Sequence, residues 1–397
     1  MSATTSIPPT ALKPPLRRPE MDYLHTGPGT LCGRYLRRFW HPIQQSSKLP
    51  AGRAQTVKIM GEEFTLYRGQ GGTPYLTVPL CPHRLTRLGL GFVEGEQLRC
   101  MYHGWKFSGD GQCVEMPAET PGAECKVKLR TYPVREYLGL VFAYLGEGEP
   151  PEFPRYPHIE GPGVHDWYCH LRPINWFTQI DNVVDPAHTP FTHRGAGFLE
   201  NGVVGVPKVE GHENDWGIIQ YGHRPNGETR VNLFGMPNIF HNKFPPATPD
   251  GGWQELIVWC VPVDDESHMN FRVTLSHIEG EVAERFTQTR DARNALIDSL
   301  SPAWKVAAAI IAGEDSLDNY NATSRPDIVA IQDLVTQMGM GPIPDRSKER
   351  LGRSDVLVVL ARRIYQRELA AFEAGQPLKA WRWTPGLVAQ TGDTPRG

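Results

Sequence analysis

The sequence predicts an α+β protein: an antiparallel β domain followed by a helix-on-antiparallel-sheet domain. Three observations predict it. Short alternating runs with glycine turns fill the chain up to about residue 150, a Pro- and Gly-rich stretch occupies 147–165, and the last third carries apolar residues at helical spacing. A chain of 397 residues also fits about two domains of roughly 100–200 residues each. The expected division is 1–39 for a lead-in and a helix packing on the second domain, 40–150 for the β domain, and 151–397 for the second domain.

In chain order, residues 1–20 are rich in Pro, Ser and Thr and read as a disordered lead-in. Leu31, Tyr35, Leu36 and Phe39 give a short amphipathic helix that Pro42 stops. Strand-like runs follow at 55–60, 63–67, 75–79, 97–100, 104–107 and 137–145, with turn signals between them. After the linker, 173–184 is helical in pattern. Runs at 217–221, 229–233, 253–261 and 269–276 read as strands. Helices are then expected at 282–300, 304–311, 327–338 and 354–374, the last with Ser354 as N-cap and Gly375 as its stop.

Composition excludes several functions. The formal net charge of −3 without a basic block argues against nucleic acid as the main partner. The longest apolar runs, such as Val306–Ala312, fall far short of the ~18 residues that span a bilayer. The N-terminus lacks a signal-peptide core, so a cytoplasmic protein is expected. No glycine-rich nucleotide fingerprint occurs, so NAD and flavin are not expected on this chain. Of the seven cysteines, Cys32, Cys113, Cys125, Cys169 and Cys260 are scattered and read as single, reduced, buried side chains.

The chemistry concentrates in two segments. Cys81-x-His83 and Cys100-x-x-His103 place one thiolate and one imidazole on each of two short loops. A [2Fe–2S] centre with two Cys on one iron and two His on the other needs that donor set. A Cys2His2 zinc site uses the same atoms, but zinc loops usually pair Cys with Cys and His with His. Further on, Asp185, His188 and His193 form D-x-x-H-x-x-x-x-H. The two histidines return to one face only if the helix breaks between them, and Pro190 supplies that break. Two His and one carboxylate is the donor set of non-haem Fe(II) oxygenases. The carboxylate is open among Glu314, Asp315, Asp318 and Asp333.

With C-P-H-R, C-x-Y-H-G-W and D-x-x-H-x-x-x-x-H on one chain, the sequence resembles the Rieske non-haem iron aromatic ring-hydroxylating oxygenases. The segment from Ile331 to Arg363 resembles the phthalate dioxygenase branch. That resemblance implies a Rieske domain followed by a helix-grip-like catalytic domain, with Cys81, His83, Cys100 and His103 on the cluster and His188, His193 and Asp333 on a mononuclear Fe(II). The pair Glu314 and Asp315 is the runner-up for the carboxylate. It further implies a ring of three subunits, with a stacked hexamer as the alternative, in which His103 bonds the Asp185 of a neighbour and Asp185 orients His188. An NADH-dependent flavin and ferredoxin reductase would supply the electrons. The branch tends to carry Glu-Gly where this chain has Asp181-Asn182, residues that line the approach to the iron, with Asn182 a candidate contact of the iron ligands. Substrate contacts are expected from Phe177, Phe234, Met236 and Phe240.

The function implied is the terminal oxygenase component of a multicomponent system hydroxylating an aromatic compound, with an aromatic acid suggested by the phthalate dioxygenase-like segment and oxidative O- or N-demethylation as the alternative. A Rieske electron carrier or a zinc-stabilised binding protein would not need the second His-rich segment.

Overall fold

The computed structural model describes residues 21–120, 123–196, 205–244, 253–384, 386, 387 and 389. The lead-in expected at 1–20 lies outside these residues. The first described element, α1 (Leu31–Leu36), is capped by Thr30, whose hydroxyl accepts from the Gly33 amide. The helix ends before Pro42, which instead lies within β1 (Trp40–Gln45), a strand whose register shifts between Pro42 and Gln44. A proline lacks the ladder donor, and an irregular step accommodates it.

The strands β2 (Ala54–Ile59), β3 (Glu62–Arg68), β4 (Pro74–Thr77), β5 (Phe92–Glu94), β6 (Gln97–Arg99), β7 (Lys106–Phe107), β8 (Cys113–Glu115), β9 (Thr131–Tyr132), β10 (Val134–Tyr137) and β11 (Leu140–Tyr144) complete the first part. They form three antiparallel sheets, ordered β2-β3-β4-β9, β5-β6-β7-β8 and β1-β11-β10. Tyr67, Leu88, Leu98 and Phe107 build a small core between the first two sheets.

One expectation is corrected here. Cys113 and Cys125 are not single thiols: they form a disulfide with Cα atoms 5.6 Å apart. The chain after β8 doubles back along it, with the Cys113 amide donating to the Val127 carbonyl at 3.0 Å. That return carries no strand-like alternation, so the pairing has no signature in the sequence.

The second part is built on one seven-stranded antiparallel sheet. Its strands are β12 (Val164–Arg172), β13 (Lys208–Glu213), β14 (Gly217–His223), β15 (Thr229–Gly235), β16 (Ile239–Phe244), β17 (Gln254–Pro262) and β18 (His268–Ser276), ordered β12-β18-β17-β16-β15-β14-β13. Between β12 and β13 run α2 (Trp176–Val183), capped by the Asn175 side chain on the Phe177 amide, and α3 (Thr189–Thr192). After β18 come α4 (Gly280–Ser299), α5 (Ala303–Ile311), α6 (Ile328–Met338) and α7 (Val356–Glu373). Asp355, not Ser354, is the N-cap of α7, and Gly375 ends it with φ +63°.

Strand alternation gives this sheet two unlike faces. Ile257 and Trp259 of β17 belong to the main core, where the Trp259 ring meets Phe142 of β11 at 5.4 Å, edge to face. The other face bears Tyr168, Arg172, Arg230, Asn242, Asn270 and Arg272, a row of polar groups that lines a cavity. Residues of α2, α3, α4 and α6 enclose that cavity. At the far edge, Tyr35 of α1 packs edge to face on Phe372 of α7. No helix among the described residues is long and apolar enough to cross a membrane.

Candidate metal centres and pocket

The loops carrying Cys81 and Cys100 have the same form. The Cys81 amide donates to Thr86 O (2.8 Å) and its carbonyl accepts from Leu85 N (2.8 Å). The Cys100 amide donates to Trp105 O (2.8 Å) and its carbonyl accepts from Gly104 N (3.1 Å). Both thiols are buried, while His83 and His103 stand at the loop tips with ring centroids 4.5 Å apart. His83 stacks flat on Trp105, 4.7 Å away. Burial first, then the neighbouring Cys100 thiol, pushes the Cys81 thiol up to about 11. A bound cation reverses that, since a coordinating thiol is deprotonated. Two inner sulfurs and two outer imidazoles suit a [2Fe–2S] cluster.

Gly104 is needed for its backbone. Its φ is +76°, and a Cβ there would stand 2.7 Å from Pro117 Cγ.

The second centre forms where α2, α3 and α6 meet. Ligand atoms of His188, His193 and Asp333 lie within 4.8 Å of one another. Asp333 Oδ1 is 3.5 Å from His193 Nε2 and 3.8 Å from His188 Nε2. The expected break at Pro190 is corrected: the helical path stops at Val183, and His188 and His193 are the N- and C-caps of the single turn α3, whose first turn tolerates Pro190, so the interruption lies before both imidazoles. The remaining nitrogens are held from outside. His188 Nδ1 donates to the Asp185 carbonyl, and the Asp185 carboxylate stands 3.7 Å away. His193 Nδ1 faces Gln332 Oε1 at 3.2 Å, and Gln332 in turn donates to Arg194 O at 2.9 Å. Each ring therefore presents Nε2 to the centre, the arrangement that fixes a ligating tautomer. Burial resists protonation of His188, but Asp185 and Asp333 outweigh it and raise its pKa. At His193 burial prevails over Asp333 and lowers it. Two imidazoles and one carboxylate on one side suit Fe(II) with positions left open.

Of the sequence candidates, Asp315 is absent from this cluster. It caps the turn after α5, accepting from the Ser316 amide (2.7 Å) and Asn319 Nδ2 (2.8 Å). Asn182 is close in, with Nδ2 3.4 Å from both His188 Nε2 and Asp333 Oδ1. Asp181, expected beside it on the approach, turns the other way into Arg346 and Arg362. Residues one apart on a helix point about 100° apart, which separates them. Gln332 escaped the sequence reading, as did Gln179, whose Nε2 stands 3.4 Å from Asn182 Oδ1, because an amide that acts through a neighbour has no spacing signature.

The cavity over this centre has a volume of about 580 Å³. Phe240 lines it, but the expectation for Phe177, Phe234 and Met236 is corrected: all three are core residues. Instead the wall carries Arg172, Arg230 and Arg272. Arg230 Nη2 donates to Asn242 Oδ1 at 2.8 Å, and Arg272 lies 4.8 Å over the Tyr168 ring. Burial, with Arg224 nearby, holds Arg230 down to about 10. Among the described residues no carboxylate lies within salt-bridge distance of Arg172, Arg230 or Arg272.

The chain is similar to known proteins over most of its length. The family described as Rieske [2Fe-2S] domain matches residues 39–133. The oxygenase subunit of 5,5'-dehydrodivanillate O-demethylase from Sphingobium sp. is 31% identical over 366 residues, covering 89% of this chain and 80% of that one. The oxygenase subunit of phthalate 4,5-dioxygenase from Pseudomonas putida is 28% identical over 375 residues, covering 87% and 84%. Among solved structures, the reduced complex between oxygenase and ferredoxin in carbazole 1,9a-dioxygenase matches with a TM-score of 0.62 at 20% identity, over 86% of this chain and 93% of that one, a likeness of fold.

Proposed function

We propose a substrate class from a plain premise: the chain belongs to the Rieske non-haem iron oxygenases, as a terminal oxygenase subunit of a multicomponent system. It is an oxidoreductase that works with a [2Fe–2S] cluster and a mononuclear iron. In our reading Cys81, His83, Cys100 and His103 hold the cluster, and His188, His193 and Asp333 hold the iron. When bound, the cluster passes single electrons and the iron activates O2. The protein's part is positional. Gln332 and the Asp185 carbonyl keep both Nε2 atoms turned inward, and the Asn182 amide sits against the ligand atoms.

The substrate is an aromatic carboxylate. The observation that carries this is the trio of arginines on the cavity wall, Arg172 buried and Arg230 and Arg272 partly buried, without a carboxylate within salt-bridge distance among the described residues. A buried guanidinium without an anion is costly, and a substrate carboxylate relieves that cost while fixing which carbon faces the iron. We assign oxygen insertion into the ring as the reaction. Oxidative O-demethylation is the second reading, favoured by the 31% identical O-demethylase. Both follow from the carbon presented.

The test is steady-state O2 uptake with a supplied reductase on paired acids and amides. Arg230→Gln and Arg272→Gln are expected to raise KM for the acid roughly 10- to 100-fold, the loss of one charge-assisted hydrogen bond, with little change for the amide. Equal KM for acid and amide in the unsubstituted enzyme would remove the carboxylate from the reading.

Electrons come from a separate NADH-dependent flavin and ferredoxin reductase. Leu85, exposed to 68%, together with Leu90, Phe92, Met101 and Tyr102, makes an apolar rim around the cluster loops. Such a patch is suited to a protein partner. A cytoplasmic homotrimer, in which His103 meets the Asp185 carboxylate of a neighbour, is consistent with both side chains reaching the surface.

A further inference from the structure

The face of the seven-stranded sheet turned away from the cavity holds a second cluster of metal-ligating side chains. Phe240, Asn242 and Leu256 line the cavity, so His241 of β16 and Glu255 of β17 project to the opposite side. There they meet His158, carried by the turn Pro157–Ile159 that leads into the sheet. The rings of His158 and His241 have centroids 4.0 Å apart, and Trp383 packs on His158 at 5.2 Å. Ligand atoms of His158, His241 and Glu255 all lie within 4.8 Å of one another.

Most polar atoms of this cluster lack a hydrogen-bond partner among the described residues. His241 is 0% and Glu255 6% exposed. Among the described residues, no ring nitrogen of His158 or His241 has a hydrogen-bond partner, and neither does Glu255 Oε2. The carboxylate is oriented: Oε2 stands 3.5 Å from His241 Nε2, while Oε1 looks outward to Lys243 (3.8 Å) and His277 (3.7 Å). Protonating His241 would serve Glu255 but would set an imidazolium against a second imidazole and leave His158 unsatisfied. A divalent cation between the three serves them all.

We propose that His158, His241 and Glu255 form a second metal site that binds a zinc-class divalent cation and fastens the turn at 157–159 to the back of the catalytic sheet. Two imidazoles and one carboxylate favour zinc over magnesium or calcium, which take all-oxygen sets. The site is structural and stands apart from the oxygen chemistry.

The experiment uses the full chain with its cluster, in a His188→Ala background that disables the iron site, equilibrated with Zn(II), desalted and analysed for zinc and iron. About one zinc per chain is expected in the background, and none after adding His158→Ala or Glu255→Gln, with the visible bands of the cluster unchanged. No zinc in the background, or zinc that survives both added substitutions, overturns the proposal. Should the added substitutions cost the fold, the melting temperature of the background decides. A rise with Zn(II) supports the site, and no shift overturns it.

Discussion

His188 and His193 each commit Nδ1 to an outside acceptor and keep Nε2 for the centre. The acceptors differ: a backbone carbonyl at Asp185 for one and the Gln332 amide for the other. This leaves the Asp185 carboxylate, 3.7 Å from His188, able to take a second donor from outside. Asp185→Asn is therefore expected to keep both metals yet lower turnover by roughly 10- to 100-fold, as loss of a group that orients a metal ligand does. Full turnover at full iron content would contradict that role. The donor types at 81–103 and 185–193 were legible because their spacing encodes chemistry. The amides Gln332 and Gln179 were not, since nothing in a sequence marks a side chain that acts through a neighbour.

Among elements, the two cluster loops depend on one backbone conformation. Gly104→Ala would impose a left-handed φ on a Cβ that also meets Pro117. It should lose most of the cluster's visible absorbance, whereas Gly29→Ala, with open space around it and no left-handed φ, should lose little. The same scale shows why strands were missed. In β12 every second residue faces the cavity (Asp166, Tyr168, His170, Arg172), so polar residues fill the face that an alternation test reads as core. β13, with the sequence KVEGHE, is polar on both faces. α7 was legible because its apolar stripe, with Leu357, Ala361, Ile364 and Leu369, meets a dry core.

At the scale of the whole molecule, two core histidines outside the metal centres make folding sensitive to acid. Burial holds His41 down to about 4 and His268 to about 3. Their nitrogens face the carbonyls of Leu36 (2.8 Å) and Ile174 (3.0 Å). The unfolded chain takes up these protons first as pH falls. The stability they confer is thus complete above about 6.5 and is lost as pH drops towards those lower values. Thermal melts should show stability falling by roughly 1.4 kcal/mol per pH unit for each histidine below about pH 6. His41→Gln should flatten that slope, and an unchanged slope would remove His41 from the account.

The central claim, two iron centres on one chain with Asp333 on the second, is tested most directly by iron content and the visible spectrum of anaerobically purified protein before and after dithionite. The account predicts bands that bleach on reduction and about three irons per chain, falling to about two in Asp333→Ala with the bands intact. A colourless zinc protein, or an Asp333→Ala variant that keeps its third iron, would contradict it.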